Sequence, residues 1–252
     1  MKEYSAPLAI SDSDLQERRE RVFLVLAGVF ICSMTMMNII GSTRFIQLGP
    51  MALTVGVLPY PLTFLCTDLV SELYGRKRAN FLVTLGLAIN LFIVAIIWLA
   101  HTAPPVPGIP WMEIQLVEPV TGLPGQQEMS GSVELFDFIY VFTTGAVFAS
   151  MIAYVAAQYI DVRLFHFWKS LTRGKHLWLR NNFSTLISQA VDSILVIGIV
   201  FGGAFLSGDI TLKQYLGFMA SSYLFKMVAA LIDTGPFYIL VAKLKRFLQI
   251  DQ

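Results

Sequence analysis

Charge is scarce in this sequence. Asp, Glu, Lys and Arg make up 14% of its 252 residues, against about a quarter in soluble domains. With 56% of the residues hydrophobic, such a chain reads as an integral membrane protein. Histidine stops at 3 residues and cysteine at 2. Cys32 and Cys66 both fall within apolar runs, so they build neither a disulfide framework nor a zinc spacing, and they read as small packing residues. The net charge is only +1, which gives no hint of a nucleic-acid partner. HExxH, GxSxG and GxGD motifs are missing, Ser207-Gly208-Asp209 being only a fragment at the end of an apolar run. There is no glycine-rich phosphate loop, so the chain does not hydrolyse ATP by itself. The chain reads as a non-enzyme, and no cofactor is implied. The short alternating strands of a β-barrel are absent as well.

What is present is a series of six apolar segments, at about 22–41, 51–74, 79–100, 137–158, 184–206 and 214–242. Each approaches or exceeds the roughly 20 residues that cross a hydrocarbon core. Lipid offers the backbone no hydrogen-bond partners, so the segments are predicted to be helical. The expected fold is an all-α integral membrane protein with six transmembrane helices over residues 22–245. Residues 1–21 are polar and form a cytoplasmic arm rather than a cleavable signal, because the apolar run from Val22 exceeds a signal core. Residues 246–252 form a cytoplasmic tail. Every Lys and Arg except Arg44, Lys213 and Lys226 falls in segments that share one side with the N-terminus. The positive-inside rule then places both termini of this multi-pass protein in the cytoplasm. Residues 101–136 carry no Lys or Arg and are rich in proline and glycine (PPVPGIP, GLPG), which predicts an irregular extracytoplasmic loop. The stretch VRLFHFWKSLTRGKHLWLR mixes aromatics with cations and predicts a short interfacial helix holding His166 and His176.

Charged groups inside a span cost roughly 2.5–3.5 kcal/mol each on insertion scales, so they belong in a cavity or against one another. The segments contain Asp68 and Glu72, then Asp192, then Lys226 and Asp233, with the amides of Asn38, Asn90, Gln158 and Gln189. Pro59 and Pro61 cannot continue a helix from residues 51–58. Span two is therefore expected to be broken at Pro59/Pro61, with a second half that ends at Gly75, a common helix C-cap. Broken helices at mid-membrane line substrate sites in transporters. Asp68 and Glu72, at i and i+4, share a face. Glu72 either takes part in function or pairs with Arg76 or Arg78 as an anchor. Lys226 and Asp233 lie on a similar face; either one neutralises the other or a partner in span five as a buried ion pair, or they make ligand contacts. Gly145, Ala149, Ala153 and Ala157, and again Gly198 and Gly202, form small-residue ladders that let helices approach closely. They serve packing within the chain or in a homodimer, and the first is the preferred reading.

Several of these stretches together resemble one family. PYPLTFLCTDLVSELYG resembles the signature of the bacterial queuosine precursor transporters, also called vitamin uptake transporter-like. Asn38 with GSTRFIQLG is similar to that family's first-span pattern, with Arg44 where Lys is commoner. LWLRNNFSTLISQAVDS is similar to its fifth-span motif, with Ser193 in place of Thr. YLFKMVAALIDTGPFYIL is similar to its last span, with Gly235 set between Thr234 and Pro236. The resemblance covers most of residues 22–245, leaving out the 101–136 loop and the N-terminal arm. It implies a six-helix transporter of the bacterial inner membrane, with a fold like the substrate-binding subunits of energy-coupling-factor transporters. The implied substrates are 7-deazaguanine bases for tRNA modification: the cyano and aminomethyl queuosine precursors (preQ0, preQ1) or queuine. Such a base offers N–H and amino donors on one edge, which a carboxylate accepts in pairs. Asp68 or Asp192 is expected to read that edge, with Gln189, Asn38 or Asn182 completing it. Phe64, Tyr74 and other aromatics are available for stacking, which is worth about 1–3 kcal/mol per base in other systems. Glu72 or Lys226 is expected in gating or charge compensation, with Asp233 beside them. Energising stays open between proton coupling, facilitated diffusion with metabolic trapping, and a separate energising complex for which this chain would be the binding subunit.

Overall fold

Helices carry most of the chain in a computed structural model that describes residues 11–40, 44–48, 51–104, 106, 112–120, 129–173, 175–208 and 210–250. The helices among these residues are α1 Asp12–Ile40, α2 Tyr60–Tyr74, α3 Arg76–Thr102, α4 Leu135–Leu171, α5 Leu177–Ser207 and α6 Leu212–Phe247. Two antiparallel hairpins join them. β1 (Phe45–Leu48) pairs with β2 (Met51–Thr54) ahead of α2, and β3 (Glu113–Val120) pairs with β4 (Met129–Glu134) ahead of α4. α1 already begins at Asp12, so the polar residues 12–21 extend the first helix.

Helices α1, α3, α5 and α6 are long and apolar enough to cross a membrane. Their outward faces suit that solvent. On α6, Leu224, Val228, Leu231, Ile232 and Ile239 are exposed, whereas Lys226 is buried. Apolar outside and polar inside is the arrangement lipid selects, because a charge facing hydrocarbon is costly.

α2 is the enclosed element. It packs against α1, α3, α4 and α6, and nearly every residue from Thr63 to Leu73 is buried. Pro59 occupies its N-cap position and Pro61 its first turn, where a missing N–H costs nothing. Gly75, at φ +82 and ψ 174, turns the chain between α2 and α3; that backbone strains any residue with a Cβ. At 15 residues, α2 is about 22 Å long, short of a hydrocarbon core of about 30 Å.

The expected broken span over 51–74 is corrected here. Residues 51–54 are strand β2 and Val55–Val57 form a 3-10 turn, so the helix starts at the prolines instead of breaking there. Pro59 and Pro61 have no N–H to close a helix back onto the carbonyls of residues 55 and 57. The strand finds its backbone partners in β1 instead.

Three smaller expectations also change. The 101–136 stretch is not wholly irregular, since it holds the β3–β4 hairpin. Among the described residues, no separate interfacial helix forms near residues 162–180. α4 runs on to Leu171, and the chain reverses through Arg173 and His176, both with positive φ, into α5. Packing explains the continuation, because Phe165 is wholly buried against Leu69 of α2 and Phe237 and Val241 of α6. Finally, Gly198 and Gly202 are not at a tight seam. A Cβ on Gly198 would make an ordinary 3.7 Å contact with Tyr215, and one on Gly202 would meet nothing within 4 Å. The close approach is at Gly86 of α3, where an added Cβ would lie 2.7 Å from the Phe30 ring of α1. Ala153 and Ala157 of α4 are fully buried, while the surroundings of Gly145 and Ala149 lie outside the described residues.

Candidate functional site

The buried face of α2 is polar. Thr63, Thr67, Asp68, Ser71 and Glu72 all lie inside the protein. The threonines are satisfied locally: Thr63 donates to the Tyr60 carbonyl at 2.6 Å, and Thr67 to the Phe64 carbonyl at 3.0 Å. Thr67 also approaches Gln158 Oε1 of α4 at 3.0 Å. Hydroxyls paired this way cost little to bury.

Asp68 is different. Its Oδ2 accepts a long bond, 3.4 Å, from the Thr185 hydroxyl of α5. Its Oδ1 has no hydrogen-bond partner, although the residue is 3% exposed. Asp68 lines a cavity between α2, α5 and α6 with Phe64, Leu65, Asn181, Thr185, Ala230, Asp233 and Phe237. Asn181 is also buried, and its Oδ1 is unpartnered. Two acceptor oxygens without donors therefore face one small space, with an aromatic ring from α2 and another from α6 on its walls. The volume is about 10 Å³, room for about one water molecule. A fused-ring ligand enters only if the helices separate.

The other expected site residues divide between this cavity and elsewhere. Asp68, Phe64 and Asp233 line it; the rest do not. Asp192 is bound by the Lys226 ammonium at 2.5 Å and by the Tyr60 hydroxyl at 2.9 Å. Lys226 also sits 4.9 Å from the Tyr60 ring centre and 3.3 Å from the Ser193 hydroxyl. This answers the partner question left by the sequence: Lys226 pairs with Asp192 of α5, not with Asp233 on its own helix. Glu72 meets Lys245 at 2.6 Å and Lys169 at 3.0 Å, so its anchors are on α6 and α4. The alternative of Arg76 or Arg78 is not taken; Arg78 pairs with Glu20. Asn38 donates to Asn90 at 2.7 Å, and Asn90 donates back to the Gly86 carbonyl at 2.9 Å, an amide relay tying α1 to α3. Tyr74 donates to the Arg19 carbonyl at 2.7 Å and packs edge-on against Phe23. Gln189 is buried with its Oε1 unpartnered, outside the cavity lining. Asn182 accepts from Thr234 at 2.9 Å, joining α5 to α6.

Sequence reasoning missed Asn181, Thr185 and, above all, Asp161. The expected end of span four at residue 158 put Asp161 outside the membrane. It is instead wholly buried and accepts from the Ser188 hydroxyl of α5 at 2.9 Å. The available signal was the spacing of Gln158, Asp161 and Phe165, which places all three on one side of a helix that has not yet ended. Among the described residues, no group of three or more His, Cys, Asp or Glu side chains is placed to hold a metal.

Comparison with known proteins gives two findings. Residues 54–241, well over half of the chain, match the family described as "Putative vitamin uptake transporter". A protein of Bacillus subtilis (strain 168) named "Probable queuosine precursor transporter" is 24% identical over 191 residues, covering 75% of this chain and 72% of the relative. No solved structure matches.

Proposed function

We propose that this chain, which belongs to the vitamin uptake transporter family, imports 7-deazaguanine bases that serve as queuosine precursors. The cyano and aminomethyl forms and queuine share the edge that the cavity suits. The observation that carries the reading is the pair of unpartnered buried oxygens, Asp68 Oδ1 and Asn181 Oδ1, at a cavity walled by Phe64 and Phe237. The deazaguanine edge offers ring N–H and exocyclic amino donors side by side, and two waiting acceptors complement them. Buried acceptors of this kind reject analogues that lack the donors, because the site is then left unsatisfied. The two phenyl rings supply faces for the flat base. The name of the Bacillus subtilis relative supports the same substrate class.

The remaining charged groups take supporting roles in this reading. Asp192 and Lys226 neutralise each other beside the site. Glu72, held by Lys169 and Lys245, ties α2 to α4 and α6 and acts as a cytoplasmic gate. All six helices lie in the bacterial inner membrane, α2 as a short enclosed one, with both termini cytoplasmic. The arrangement follows the substrate-binding subunits of energy-coupling-factor transporters, and the chain works alone.

The test is uptake of the radiolabelled aminomethyl base by the purified full chain in liposomes. Wild type should accumulate the base, and Asp68→Asn and Asn181→Ala should lose uptake with an unchanged thermal midpoint. Uptake at wild-type rates in both variants would remove this cavity from the mechanism. Binding without uptake would make the chain a subunit of a larger complex.

A further inference from the structure

Asp233 has no part in the substrate reading, yet it lines the same cavity as Asp68 and Asn181. It does so from α6, together with Ala230 and Phe237. Spacings of three and four residues put these three on one face of that helix, so the carboxyl of Asp233 and the ring of Phe237 look into one space. Among the described residues, Asp233 makes neither an ion pair nor a side-chain hydrogen bond.

The cavity holds acids and no cation. Among the described residues, no Lys, Arg or His lines it. Lys226, about two turns before Asp233 on α6, is held by Asp192 of α5 at 2.5 Å. Lys169 of α4 and Lys245 of α6 both meet Glu72. Arg163 of α4 and Lys243 of α6 are exposed. Asp68 receives only the Thr185 hydroxyl, at 3.4 Å, and its Oδ1 has no donor. One turn further along α5, Ser188 donates to Asp161 of α4 at 2.9 Å, a wholly buried acid that also pairs with no cation among the described residues. A carboxylate enclosed without a cation is costly, and a neutral ligand closing the site over Asp68 and Asp233 would leave that cost in place.

We propose that Asp233 is a specificity-determining residue: it takes the ammonium group of a cationic base, so the protein prefers the aminomethyl deazaguanine to the neutral cyano form. The assignment rests on the substrate reading above and deepens it. The aminomethyl group hangs from the five-membered ring, at the far end of the base from the ring N–H and amino donors. With those donors on Asp68 and Asn181, the base lies between the Phe64 and Phe237 rings and its substituent points to the remaining wall, which α6 supplies. There the ammonium donates to the Asp233 carboxylate, a charge-assisted bond that a nitrile, having no donor, cannot make. The ligand thus brings the cation that the cavity lacks. Queuine, whose side chain is joined through a secondary amine, belongs to the favoured class for the same reason.

The test is calorimetric titration of the purified full chain at neutral pH with three bases: the aminomethyl, the cyano and the hydroxymethyl deazaguanine. The last keeps the size of the aminomethyl group and removes its charge, so the first comparison needs no variant. Wild type should bind the aminomethyl base roughly 10-fold or more tightly than either neutral base. Asp233→Asn keeps the shape of the side chain and removes its charge, and in it the three affinities should converge. Asp68→Asn should weaken all three together, because they share the edge that Asp68 reads. Equal binding of the three bases by wild type overturns the proposal and leaves the substrate reading standing. A preference for the aminomethyl base that persists in Asp233→Asn overturns the role of Asp233. Binding of none of the three defeats the substrate reading itself, and this inference with it.

Discussion

The Lys226 ammonium lies 2.5 Å from the Asp192 carboxylate, with both side chains almost wholly buried. A pair so enclosed tolerates the loss of both charges better than the loss of one, because a lone charge in the interior has no compensation. Lys226→Met or Asp192→Asn alone is predicted to destabilise the protein by about 3–5 kcal/mol. Lys226→Met combined with Asp192→Leu should recover most of that. Thermal midpoints in detergent give the comparison, and a double variant as unstable as the sum of the singles would show that the pair is not the cause.

Glu72 makes a different kind of bridge, since Lys169 and Lys245 are 34% and 24% exposed and water screens them. Glu72→Gln is predicted to cost about 1–2 kcal/mol, between exposed and buried pairs. The wild-type midpoint should fall as salt is raised, and the variant's should fall less. Equal salt dependence in the two proteins would count against the bridge.

Phe237 walls the cavity from α6 and is fully buried. Phe237→Leu keeps an apolar side chain but removes the ring. The expected loss is about 1–3 kcal/mol of stacking, or roughly a 5- to 150-fold rise in Kd for the aminomethyl base. Calorimetric titration measures it, and an unchanged Kd would place the base elsewhere.

Gly86 is where α3 meets α1. A Cβ there would lie 2.7 Å from the Phe30 ring and 3.2 Å from the Met34 sulfur, and both side chains are fully buried. Gly86→Ala is therefore predicted to cost about 1–3 kcal/mol through overpacking. Gly28→Ala, with nothing within 4 Å of the added carbon, should cost nothing and serves as the control. Equal midpoints for the two variants would refute the contrast.

The membrane character of the chain was legible because it depends on composition. A sequence with 14% charged residues cannot cover itself with polar surface, and its long apolar runs can only be helices where lipid offers no hydrogen bonds. Asp68 was legible for a related reason, being a carboxylate within an apolar run. The start of α2 was half legible. The prolines marked a discontinuity, but whether helix or strand lies before them depends on β1, a separate segment.

What the sequence by itself determined, then, is the set of local properties: which stretches prefer lipid, where proline and glycine interrupt them, and which charges must be hidden. The partner of each hidden charge was decided only by tertiary structure. Glu72 passes over Arg76, its i+4 neighbour, because Gly75 turns the chain and ends the helix that would have aligned them. It finds Lys169 and Lys245 through the packing of α4 and α6 instead. Asp161 meets the Ser188 hydroxyl of α5 because α4 continues past residue 158, held by the burial of Phe165 against α2 and α6. Spacing along one helix cannot report such meetings, since they depend on how separate helices pack.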